Sequence, residues 1–140
     1  MRIGLSHEGI RGPSTTPVLA LNQVHELSII CSVIESVQEA IATRKVERVA
    51  AVNLRVGALS GVVEDALLFS YEIATQGTML EGSALRIEHV PVRVYCSVCE
   101  QESELASVQS FRCPRCHELT ADIRGGRELE IKSIEIDEVE

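Results

Sequence analysis

Tryptophan is absent, and tyrosine, phenylalanine and methionine each occur only twice in 140 residues. So few aromatic faces leave no platform on which nucleic-acid bases could stack. Cations are also scarce. The 13 Lys and Arg face 21 Asp and Glu, a formal net charge of −8, which a phosphate backbone repels. Long apolar runs are missing too: nothing approaches the roughly 20 residues that a bilayer-spanning helix needs. The longest near the N-terminus, Val18-Leu19-Ala20-Leu21, is too short for the core of a secretory signal. No nucleic-acid partner and no membrane span are therefore expected, and the expected location is cytoplasmic. Thiols there stay mostly reduced, so clustered cysteines are read first as metal ligands or catalysts and only then as disulfides.

What is present reads as a folded α+β chain. Residues 1–23, punctuated by Gly4, Gly9, Gly12, Pro13 and Pro17, show no apolar period and read as a flexible extension. From His25 to about Thr43, Leu27, Ile30, Ile34, Val37 and Ile41 recur at spacings of three and four, which predicts a helix. Cys31 lies beside that stripe and reads as a buried, inert thiol. Val46–Val56 alternates like a strand, and Gly57 ends it. Ser60 is a candidate cap for a second helix over 62–76, with Glu64 and Asp65 in its first turn. Residues 84–95 form a second strand candidate in which Pro91, lacking an N–H, marks an edge or bulge. Residues 128–136 form a third, with a bulge near Ser133 to reconcile Ile131 with Ile134.

Between the second and third strands, residues 96–126 are poor in periodic apolar residues and carry four of the five cysteines. Cys96-Ser97-Val98-Cys99 and Cys113-Pro114-Arg115-Cys116 each bring two thiols onto one tight turn. Two such turns close a tetrahedral four-thiolate site suited to Zn²⁺. Four protein ligands leave no place for water, so the metal should be structural and its binding should fold the segment. Other readings exist for these thiols: a Cys-x-x-Cys-His haem attachment at Cys113–His117, a redox dithiol, or two disulfides. The haem reading leaves the first pair unexplained, and the redox reading lacks a βαβ setting. The disulfide reading needs an oxidising compartment. Among the histidines, His7 and His89 read as incidental and His117 as a surface residue beside a metal ligand. His25 alone would be an ordinary polar residue at a helix start.

The segment Val24-His25-Glu26-Leu27-Ser28 changes the weight of His25. It resembles the Met-His-Glu-Leu-Ser start of the HypA/HybF family of hydrogenase maturation nickel chaperones. Gly57-Ala58-Leu59-Ser60-Gly61-Val62, Gly77-Thr78, Glu81-Gly82, Val90-Pro91, Phe111-Arg112-Cys113-Pro114-Arg115-Cys116 and Gly126-Arg127-Glu128-Leu129 continue the likeness. The resemblance covers residues 24–140.

That resemblance implies two helices on a three-stranded sheet, residues 24–95 plus 127–140, with a zinc ribbon over 96–126 inserted. It implies a non-enzymatic carrier that passes Ni²⁺ toward [NiFe]-hydrogenase, or in some members urease, with an accessory nickel GTPase and the hydrogenase large subunit as partners. Zn²⁺ would be held by Cys96, Cys99, Cys113 and Cys116. Ni²⁺ would be held by the His25 imidazole, by backbone nitrogens of His25 and Glu26, and by the nitrogen of the residue matching Val24, an amine in some members. Nitrogens in one plane suit Ni²⁺, whereas a tetrahedral sulfur cage suits Zn²⁺. In this sequence Val24 is preceded by 23 residues, so its nitrogen is an amide and one chelate anchor is weakened. A start at position 24 would restore it, and is the expectation here. A zinc-ribbon adaptor that only mediates protein contacts is the alternative reading.

Overall fold

The computed structural model describes residues 2–4 and 22–139, with side chains from His25 onward in the first helix. In chain order the elements are β1 (Arg2–Gly4), α1 (Asn22–Ile41), β2 (Val46–Gly57), α2 (Glu64–Ala74), β3 (Ala84–Val90), β4 (Val92–Cys96), β5 (Gln101–Leu105), β6 (Asp122–Gly125) and β7 (Leu129–Glu138). They form two compact units. The first comprises residues 1–54, 62–87 and 130–140, and the second residues 55–61 and 88–129. The second unit thus takes in more chain than the 96–126 segment.

In the first unit α1 buries Ile29, Ile30, Val33, Ile34, Val37 and Ile41. This stripe follows from spacings of three and four on a 3.6-residue turn. Its first turns are rotated from the expected register: Leu27 is exposed while Glu26 is buried. Cys31 is exposed, which corrects the buried-thiol expectation. It is flanked by buried Ile30 and Val33 but falls on the outer side of the stripe. The second helix is capped by the extended backbone of Val63 with no side-chain bond. Ser60 instead donates its N–H to Gly57 O in the turn before, so it is not the cap. Glu64 and Asp65 do occupy the first turn, where carboxylates face the unsatisfied N–H groups. Leu67 and Tyr71 turn inward from α2, and the Tyr71 hydroxyl lies 2.6 Å from Ser83 Oγ.

The sheet has four strands, in the order β1-β7-β2-β3, not three. The added strand comes from the extension: Arg2, Ile3 and Gly4 pair antiparallel with Glu135, Ile134 and Ser133. Residues 5–21, including His7, lie outside the described residues. Pairing with β1 runs from Ser133 to Glu135, on the C-terminal side of the bulge expected near Ser133. Both Ser133 and Ile134 are buried. Ser133 is covered on its side by Asn53, whose Nδ2 donates to Ser133 Oγ at 2.9 Å.

The second unit has its own three-stranded sheet, ordered β5-β4-β6 and antiparallel throughout. The single strand expected over 84–95 is two strands in two different sheets, divided at Pro91. A residue without an N–H can continue neither ladder. The motifs on either side of this break meet. Ala58 N–H donates to Val90 O at 2.9 Å, Leu59 N–H to Gly126 O at 2.6 Å, and Gly57 N–H to Glu128 O at 2.6 Å. Gly57 permits the approach, since a Cβ there would stand 2.1 Å from Gly126 O.

Candidate metal centres

The second unit presents the clearest chemistry. The Sγ atoms of Cys96, Cys99, Cys113 and Cys116 all lie within 4.8 Å of one another. Cys96 ends β4, and Cys99 follows in the turn before β5. Cys113 and Cys116 sit on a second turn, closed by Cys113 N–H to Glu118 O and His117 N–H to Cys113 O, both 2.9 Å. The Thr120 hydroxyl donates to Tyr95 O and ties this turn to β4.

Sulfur separations are 3.5 Å for Cys96–Cys116 and 3.9 Å for Cys99–Cys113. A tetrahedron with metal–sulfur bonds of about 2.3 Å has edges of roughly 3.8 Å, so the donor set fits one tetrahedral thiophilic ion. Backbone N–H groups already favour thiolates. Those of Cys116 and Arg115 bring the Cys113 thiol down to about 6. For Cys116 the Glu118 N–H pulls the same way, but burial and the neighbouring sulfurs outweigh it and push that thiol up to about 12. The Cys113 thiolate therefore forms readily, whereas a bound cation would be needed to ionise Cys116.

Glu100 and His117, which follow the second cysteine of each pair, both have positive φ, 53° and 63°. His117 is exposed, and its carbonyl accepts from Arg112 Nη1 at 3.1 Å. Its conformation serves the turn.

The second candidate lies in the first unit. His25 is exposed on α1, and its Nδ1 stands 3.6 Å from Glu26 Oε1. Glu26 is only 1% exposed. Neither of its carboxylate oxygens has a hydrogen-bond partner among the described residues. A buried carboxyl without donors is an unfavourable arrangement on its own, and the His25 imidazole is the group placed beside it.

The side chain of Glu26 was missed from the sequence, where only its backbone nitrogen was considered. The signal was available, since positions 26, 30, 33 and 37 continue the buried stripe. Because α1 begins at Asn22, the nitrogen of Val24 is an amide within a helical first turn. Nothing is described of the Val24 side chain.

A small α+β protein carrying a four-thiolate metal module is the class that this fold and site define. The family described as "Hydrogenase/urease nickel incorporation, metallochaperone, hypA" matches residues 24–136. The chain is 47% identical to the hydrogenase maturation factor HypA of Roseiflexus sp. (strain RS-1) over 82% of its own length and 94% of that protein. To the maturation factor HybF of Salmonella typhimurium it is 39% identical, over 81% of this chain and all of that one. The solution structure of the Ni metallochaperone HypA from Helicobacter pylori superposes with a TM-score of 0.57. It shares 20% identity and covers 81% of this chain and 98% of that one, a likeness of fold. The chain belongs to the HypA family of hydrogenase maturation factors, described as metallochaperones.

Proposed function

We propose that this protein carries Ni²⁺ for the maturation of [NiFe]-hydrogenase, with His25 as the side chain that takes the metal. Family membership supports the reading, and the pairing of an exposed imidazole with a buried carboxyl that has no donor among the described residues carries it. A carboxyl beside the imidazole can offset part of the cost of dehydrating an arriving cation. The family's backbone-nitrogen mode meets a competing demand in this chain. The His25 and Glu26 nitrogens fall where the intrahelical ladder of α1 begins, so their use as ligands requires the first turn to open. The Val24 amide lies within the turn whose N–H groups lack intrahelical acceptors and is the easier one to recruit.

The resident metal of the second unit is assigned as Zn²⁺, held by Cys96, Cys99, Cys113 and Cys116. It supplies cross-linking of two turns and no open coordination position. An accessory GTPase and the hydrogenase large subunit are the partners this reading assigns, within the cytoplasm. Calorimetric titration of Ni²⁺ into the zinc-loaded chain tests it. His25→Ala should weaken nickel binding at least about tenfold, as expected for loss of an anchoring ligand, while zinc content stays unchanged. Equal affinity in the variant would refute the assignment and favour the adaptor reading, which has no nickel site.

A further inference from the structure

The charges of this chain are unevenly placed. Its two helices carry Glu26, Glu35, Glu39, Glu64, Asp65 and Glu72 and not one Lys or Arg. All but Glu26 are exposed. The sheet strands and their turns carry arginines paired to acids, such as Arg48 to Asp137 and Arg86 to Glu135.

Between the helices lies an open groove of about 480 Å³, lined by Leu27 from α1 and by Val63, Asp65, Ala66, Phe69 and Ile73 at and along α2. Phe69, one of only two phenylalanines in the chain, is 65% exposed there. Leu27, Val63 and Ile73 are exposed with it. Single exposed apolar residues are ordinary, but a contiguous set around a groove marks a contact surface.

We infer that this groove receives an amphipathic segment of a partner protein whose apolar side chains fill it and whose Lys or Arg residues face the acidic helix surface. Charge selects this occupant. A second copy would bring two helix faces of the same sign together, and anionic membranes and nucleic acid would be repelled likewise. A helical or extended segment with apolar anchors at i, i+3 and i+4 fits a groove between two helices, with Phe69 as the exposed aromatic anchor of the surface. Leu27 follows His25 by two residues, about 200° around the helix axis, so the groove and the imidazole occupy different sides of α1. The surface stands independently of whether His25 binds nickel.

The probes are two fluorescent 14-residue peptides of helical repeat, one of Leu and Lys and one of Leu and Glu, titrated into the zinc-loaded full chain. The Leu–Lys peptide should bind at least about tenfold more tightly, and Phe69→Ser should weaken it by about tenfold, the effect of losing an anchor. Asp65→Asn should weaken it by about threefold and flatten its salt dependence. Nickel affinities of both variants and the thermal melt of Phe69→Ser should match the parent, with Asp65→Asn lowering the melt only slightly through loss of one helix-terminal charge, which separates failure of this surface from failure of the His25 assignment. Equal affinity for the two peptides, no binding of either, or parental binding by Phe69→Ser would overturn the inference. So would a dimer in sedimentation that Phe69→Ser dissociates, which would make a second copy the occupant.

Discussion

The two units of this chain hold themselves together differently. The first buries Ile29, Ile30, Val33, Ile34, Val37 and Ile41 from α1, Val49, Val52 and Leu54 from β2, Leu67 and Tyr71 from α2, and Ile131, Ile134 and Ile136 from β7. The second buries Val56, Val92, Val94 and two cysteines, Cys96 and Cys113. Apolar burial at about 25 cal/mol per Å² can order the first set. The second set is too small to offset its own chain entropy, and its cross-link is the four-thiolate cluster. One unit is stabilised by its core, and the other depends on the metal proposed for its four thiols.

Removing the ligand is the strongest way to break this contrast. Cys113→Ser, or chelation of the metal, should unfold residues 88–129, since structural zinc contributes on the order of 10 kcal/mol to such modules. The helical signal at 222 nm should persist. An NMR amide spectrum would show collapse of the second unit's dispersed peaks alone, and loss of the helices as well would mean the units do not differ in this way.

The converse change is Leu67→Ala, which empties a fully buried site and should cost about 3 kcal/mol in chemical denaturation of the first unit. Zinc affinity by competition with a chromogenic chelator should stay at the parental value.

Gly57→Ala tests a place where backbone packs directly against backbone. Its Cβ would collide with Gly126 and Glu128 backbone atoms, at an expected cost of about 2 kcal/mol from forced displacement, read as a lower melting temperature. In the metal turn the sign reverses. His117→Gly relieves a positive φ and should stabilise the zinc-loaded form by about 0.5 kcal/mol, the left-handed strain less glycine's greater chain entropy.

The smallest effect concerns acid. Asn53, and then Arg86, hold the Glu135 carboxyl below its usual value of 4.5. Between the folded and unfolded values the unfolded chain binds more protons. The stabilisation is therefore complete above about pH 4.5 and fades as pH falls through the lowered folded value. Glu135→Gln should flatten the acid limb of a pH–stability curve for the first unit while leaving neutral pH little changed.

The same contrast explains what the sequence made legible. Periodicity reports apolar burial, so α1, β2 and the inward face of α2 were readable from Ile30, Ile34, Val52, Leu54 and Leu67. Paired cysteines report a metal, so the cluster was readable from spacing alone. The strands β5 and β6 were not readable: Gln101-Glu102-Ser103-Glu104-Leu105 has no apolar alternation, and its ladder to β4 is held by backbone pairing beside the cluster. Pro91 was recognised as a break in a ladder, but a local steric rule cannot say that the chain changes sheets there. Ser60 had the right chemistry for a cap, yet the turn from Gly57 used its backbone first. Glu26 was considered only for its backbone nitrogen, since an acid is not counted in an apolar period even when its position continues the buried stripe.

The short pairing of Arg2–Gly4 with β7 bears on solubility. A sheet edge offers a row of free N–H and C=O groups to any other extended chain. At the far edge β3 carries Arg86 and Glu88 and is followed by Pro91, side chains that discourage a new strand. The β7 edge passes two buried isoleucines, Ile134 and Ile136. There β1 occupies the stretch from Ser133 to Glu135 and sets Arg2 3.8 Å from Glu135. Three residues of the extension thus act as a guard against edge-to-edge aggregation in a protein whose other edge is protected by charge and proline.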